Sequence, residues 1–193
     1  MAEPVGKFFL RALCCLLPVL ALWYWAGAVI TWLPARLSGE LLAALFPSWC
    51  AGYALRGTQL QLLTTIAAAG GPLSFHVNTL IFCYGQPLLI ALLLASRARR
   101  LGWKLAVGLL MLLPLQVWGI CFRLLFKVSD AGPAAYAHTG FTQLDLNVFV
   151  LAYQIGYLLL PPLGPVVAWL FMERSFVATA LCAVTPSASA KSR

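Results

Sequence analysis

Polar residues in this chain are gathered into a few short intervals, and the stretches between them are long and apolar. The first apolar stretch, residues 8–33, has Lys7 just before it and Arg11 at its start. It exceeds the roughly 7–15 residues of a signal-peptide core and lacks a small-x-small cleavage site, so it reads as a spanning helix. Pro18 lies inside it, and Trp23, Tyr24, Trp25 and Trp32 suit its interfacial half. A second apolar stretch, residues 77–95, is closed by Arg97, Arg99, Arg100 and Lys104. The third, residues 103–126, begins beside Lys104 and is otherwise interrupted only by Pro114, Gln116 and Arg123. The fourth, residues 148–172, carries Pro161, Pro162 and Pro165 in its middle. Those prolines remove backbone donors, so neighbouring groups must satisfy the freed carbonyls.

The intervals between the stretches are less regular. Residues 37–46, LSGELLAALF, place Leu37, Leu41, Leu42 and Leu45 at helical spacing, with Ser38 as N-cap and Pro47 as stop. This segment is too short to span and is predicted to lie on the membrane surface. Residues 58–66, TQLQLLTTI, alternate only in part, which permits a short strand, and AAAGGP at residues 67–72 reads as a flexible break. Residues 127–147 read as a loop carrying Asp130, His138 and Asp145. The expectation is an all-α integral membrane protein with four transmembrane helices, an interfacial helix and a possible short strand in the first outer loop. Residues 1–176 form one polytopic domain, and residues 177–193 form a cytoplasmic tail expected to be disordered at its end, TPSASAKSR.

Composition supports a lipid bilayer as the solvent. Hydrophobic residues make up 62% and charged residues 9% of the 193 positions, against roughly 25% charged in an ordinary soluble domain. A net charge of +8 would suit nucleic acid if it formed a face, but the basic residues stand at the ends of apolar runs. They are topology signals, and nucleic-acid binding is excluded on that pattern. With the N-terminus inside, nine basic residues fall on the cytoplasmic side (Lys7, Arg11, Arg97, Arg99, Arg100, Lys104, Arg174, Lys191, Arg193) and three on the other (Arg36, Arg56, Lys127). Both termini are therefore expected inside. Of six cysteines, Cys14, Cys15, Cys83, Cys121 and Cys182 fall in or beside apolar runs and Cys50 is expected in a loop. No CxxC or Cys/His spacing is present, and neither a metal nor another cofactor is called for.

The candidate chemistry lies in residues 82–123. Here two apolar spans fold back on a basic turn, which brings Cys83 and Arg123 to similar depth near the outer face. His138, in the following outer loop, and His76, just before the second span, lie on the same side. A buried arginine can depress a nearby thiol's pKa and stabilise an oxyanion, while a histidine moves protons. An arginine within a span also counts as a functional candidate in its own right. Blander readings stand beside these: Arg123 snorkels to lipid phosphates, Cys83 packs, and His138 is a loop residue. Gln86, Gln116 and Gln154 suit interhelical hydrogen bonds. Gly102 and Gly108, or Gly156 and Gly164, suit close helix approach, and Tyr153 and Tyr157 share one helix face.

Two resemblances attach to these residues. Cys83-Tyr84-Gly85, the apolar run after it, the basic turn and PLQVWGICFR from Pro114 to Arg123 are similar to the core of exosortases and archaeosortases, membrane-embedded cysteine transpeptidases. That likeness implies Cys83 as nucleophile, Arg123 as electrostatic stabiliser and His138 as proton carrier. Tyr84 stands where a serine is usual and Ile120 where an asparagine is usual, and His138 follows Arg123 sooner than in that family. Over most of its length the chain resembles the exosortase H-associated membrane proteins. LWYWAGAVITWLPARLSGELLAALFP, YGQPLLIALLLA, LLPLQVWGICF and YQIGYLLLPPLGPVVAWLF carry that likeness. It implies a bacterial inner-membrane protein that partners an exosortase-type enzyme, its tailed substrate, or both. Three functions stay open: a non-catalytic accessory protein of a sorting system, a compact cysteine transpeptidase cleaving C-terminal sorting tails, and a small transporter or channel subunit.

Overall fold

The computed structural model describes residues 5–68 and 71–174. The chain opens with α1 (Val5–Trp25), a single turn α2 (Gly27–Ile30) and α3 (Trp32–Leu45). A sheet of β1 (Cys50–Arg56), β2 (Gln59–Ala68) and β3 (Gly71–Asn78) follows. Next come α4 (Leu80–Cys83), α5 (Gly85–Ala95), the long α6 (Leu101–Ser129) and α7 (Pro133–Thr139). The chain then runs through α8 (Gln143–Gln154), a π-helical turn (Ile155–Leu159) and α9 (Leu160–Met172). Three helical stretches are long and apolar enough to cross a membrane: Gly6–Trp25, Leu101–Ser129 and Gln143–Met172. The second expected span is shorter. Residues 77 and 78 belong to β3, so the apolar helix covers only Leu80–Ala95 and is broken at Tyr84.

Contacts between helix ends show how the chain folds back on itself. Phe8 of α1 stacks on Trp169 of α9 at 5.3 Å. Trp169 Nε1 donates to Ser96 Oγ after α5, and Lys104 at the start of α6 meets Glu173 after α9 at 2.5 Å. Both ends of the helical chain therefore sit with the α5–α6 turn. Their shared core is Phe8, Leu89, Leu92, Leu93, Leu112, Ala168 and Trp169. At the other end the sheet, α3 and the second half of α6 bury Leu42, Trp49, Leu60, Leu62, Ile66, Ile120, Leu124 and Val128. Helix α1 is the least enclosed span: 11% of its apolar window is buried, against 33% for α6. Most of its surface is left for lipid.

The region between the first two apolar stretches differs most from expectation. The first span ends at Trp25, since α2 and α3 take up residues 27–45. Ser38 lies inside α3, where its buried hydroxyl donates to Pro34 O at 2.7 Å, and does not cap it. Pro34 falls in the first turn of α3, where its missing N–H costs nothing, while the helix stops before Pro47 as expected. The permitted strand is one of three in an antiparallel sheet of order β1-β2-β3. Along β2, Leu60, Leu62, Thr64 and Ile66 are buried while Gln59, Leu63 and Thr65 are exposed, the period of two that a half-buried strand needs. Arg56 pairs with Gln59 across a tight turn in which Gly57 has φ +59. Cys50, expected in a loop, opens β1 and is buried. The expected loop at 127–147 is largely helical, because α6 runs on to Ser129 and α8 begins at Gln143 behind a Thr142–Asp145 capping box. The expected tail and Cys182 lie outside the described residues.

Close packing joins α6 to the last span. A Cβ built on Gly156 would stand 2.7 Å from the Cα of Gly119, and one on Gly119 would stand 2.5 Å from the Phe82 ring and 3.1 Å from Gly156 O. Gly108 and Gly164 pack similarly against leucines, whereas Gly102 has nothing within 4 Å. Replacing Gly156 by Ala forces two backbones apart. We expect it to destabilise the protein by about 1–3 kcal/mol, read as a lowered thermal midpoint in detergent. Gly102→Ala is expected to leave that midpoint unchanged.

Candidate functional site

Arg123 projects from α6 toward the π-helical turn and α8. Its guanidinium lies over the Tyr153 ring at 4.5 Å and near Phe126 at 5.5 Å. Tyr153 in turn stacks on Tyr157 at 5.8 Å and on Phe126 at 6.0 Å, so the expected shared face of the two tyrosines is real. One turn further along α6, Lys127 Nζ donates to the backbone carbonyl of His76 in β3 at 2.6 Å. These groups surround a cavity of about 200 Å³ lined by His76, Asn78, Arg123, Lys127, Tyr153 and Tyr157, with Val77, Ile81 and Phe82 as its apolar wall.

Among the described residues, no carboxylate lines this cavity. Glu40 is bonded to Arg36, Glu173 to Lys104, and Asp145 to Thr142, while Asp130 is exposed at the C-cap of α6, outside the cavity lining. Arg123 and Lys127 thus stand one turn apart on the same helix, with no acidic side chain beside them in the lining. A like-charge pair at this spacing costs about 0.2–0.5 kcal/mol on a solvated helix, and more where the dielectric is lower. The aromatic faces beneath Arg123 offset part of that cost.

The three residues singled out by sequence are not all gathered here. Arg123 lines the cavity; Cys83 and His138 do not. Cys83 ends α4 with 0% exposure, and His138 stands exposed on α7. The residues beside Cys83 have packing partners of their own. Tyr84 donates its hydroxyl to Tyr157 O at 3.4 Å, the carbonyl that the missing N–H of Pro161 would otherwise leave without a helical donor. Gly85 allows the backbone to approach Pro161, whose carbonyl would lie 2.6 Å from a Cβ. The cavity adds Lys127, Tyr153, Tyr157, Asn78 and His76 to Arg123. Lys127 follows Arg123 by four residues and Tyr157 follows Tyr153 by four, so both pairs carry a helical signal in the sequence.

Polar groups elsewhere in the spans are largely satisfied internally. Gln86 Nε2 donates to Gln116 Oε1 at 3.2 Å between α5 and α6, as their positions within spans suggested. Among the described residues, Gln86 Oε1 and Trp23 Nε1 are buried with no hydrogen-bond partner. Cys14, Cys15, Cys50, Cys83 and Cys121 are free thiols, and the described residues hold no group of three metal-ligating side chains.

Comparison with known families decides the affiliation: the exosortase H-associated membrane protein family matches residues 2–176. The chain belongs to that family. No curated protein and no solved structure matches it. Family membership and the apolar helices together make it a membrane protein. The match runs through the sheet as well as the helices, so the cavity formed where β3 meets α6 lies wholly inside it.

Thiol chemistry gives a direct check on this geometry. In the folded protein Cys83 is expected to react with N-ethylmaleimide only after denaturation, and mass mapping of the labelled peptide before and after denaturation reads the difference. Rapid labelling of Cys83 in the native state would contradict the buried placement.

Proposed function

We propose that this protein is a non-catalytic accessory component of an exosortase-type protein-sorting system in the bacterial inner membrane. The observation that carries this reading is the family match over residues 2–176 in a chain whose candidate nucleophile, Cys83, is sealed from solvent. A cysteine transpeptidase needs its sulfur within reach of both a substrate carbonyl and a proton carrier. Cys83 has neither an open approach nor a place in the Arg123 cavity, and His138 is exposed on a separate helix. Both termini and the α5–α6 turn face the cytoplasm in this reading, because nine basic residues lie on that side against three on the other. The sheet and the Arg123 cavity then face outward, where sorting tails would be processed.

Affinity purification from native membranes, together with substrate processing in a deletion strain, tests the proposal. The expected results are recovery of the exosortase-type enzyme with this protein, impaired processing in the deletion strain, and full rescue by Cys83→Ala. Rescue that fails with a folded Cys83→Ala protein would overturn the non-catalytic assignment. Normal processing without this protein, and no association, would overturn the accessory role.

A further inference from the structure

The cavity around Arg123 has a composition that points to a ligand of its own. Its polar lining consists of two cations, a histidine, an asparagine and two tyrosines, and it includes no acidic side chain. At 1.5 Å per residue, Lys127 lies about 3 Å and Arg123 about 9 Å along the axis from the Ser129 end of α6, so both stand at the end of a spanning helix, where lipid headgroups lie. The Lys127 bond to His76 O and the Tyr153 ring under Arg123 hold the two cations in place before anything binds. Val77, Ile81 and Phe82 give the same cavity an apolar side.

We propose that this cavity binds the phosphate of an anionic lipid headgroup, with Arg123 and Lys127 as its two charged donors. A guanidinium offers two parallel N–H donors to phosphate oxygens, and an ammonium adds a point charge beside them. An anion between them also removes the like-charge repulsion along α6. Size sets the limit of what enters. A volume of about 200 Å³ is below the roughly 300–1,000 Å³ of sites that enclose a drug-sized ligand, so the headgroup is held and the acyl chains stay outside. The apolar wall of Ile81 and Phe82 then meets the start of those chains. The site is independent of the sorting role and stands or falls separately from it.

Native mass spectrometry of the full-length protein in detergent, titrated with phosphatidylglycerol or phosphatidylcholine, tests the proposal. The wild type is expected to retain phosphatidylglycerol roughly tenfold better than phosphatidylcholine, in keeping with two basic side chains at an anionic surface. The Arg123→Gln/Lys127→Gln variant is expected to lose that preference. Arg99→Gln, an exposed charge in the α5–α6 turn, is expected to keep it. The wild-type preference is itself a readout, so the proposal stays testable even if the double variant misfolds. Equal retention of the two lipids by the wild type would overturn it, as would an undiminished preference in a folded double variant. Inorganic phosphate is run as a second ligand. If millimolar phosphate raises the thermal midpoint and phosphatidylglycerol does not, the lipid source is wrong. Retention of an apolar peptide with a free C-terminal carboxylate over its amide, without any lipid preference, would assign the cavity to a protein partner instead.

Discussion

Where the α6 backbone meets the π-helical turn, neither chain has room for a side chain. Gly119 and Gly156 let the two backbones touch, and Phe82 fills the remaining space beside them. Burial of apolar surface cannot hold spans together when lipid is as apolar as leucine, so close van der Waals approach must. This contact also fixes the rotation of the last span about its own axis. With Gly156 against α6, Tyr153 and Tyr157 are turned toward Arg123 and Phe82. The cavity is therefore a consequence of helix packing, and its donors sit on rigid elements.

A second constraint is the need to satisfy backbone groups inside the bilayer. The proline-rich start of α9 frees carbonyls that an ordinary helix would use, and the extra residue of the π-helical turn takes up the mismatch. Tyr84 answers one freed carbonyl from across the helix pair. The hydroxyls of Thr31, Ser38 and Ser129 likewise turn back onto carbonyls four residues earlier, and Thr79 reaches Thr58 O. Each buried hydroxyl is thereby satisfied within its own element or its neighbour.

Much of the helical framework was legible in the sequence, because in a membrane protein a long apolar run is itself the structural signal. The Tyr153–Tyr157 pair could be anticipated from spacing, and interhelical bonding by Gln86 and Gln116 from their positions within spans. The sheet was legible only in β2, where alternation survives; β1 and β3 contain Gly52, Gly71 and Pro72, which obscure it. Arg123 stood out as a charge inside a span. Lys127 did not, since α6 extends past the point where its apolar run ends. Nothing in the spacing could tell that His76, paired through β2 and held by Lys127, would line the cavity while His138 would stand exposed on α7 outside that lining. Such distinctions belong to tertiary structure.

The brevity of the Leu80–Ala95 helix is absorbed inside the protein. At 1.5 Å per residue it matches roughly 24 Å of hydrocarbon, against the about 30 Å of a typical core, while α6 is long enough to exceed it. Ten of its sixteen residues are buried and only Ile81 and Leu94 are exposed, because α1, α6 and α9 pack around it. Lipid therefore meets the longer helices, and the mismatch that a short span would impose on the bilayer, at fractions of a kcal/mol per Å, is largely screened from it.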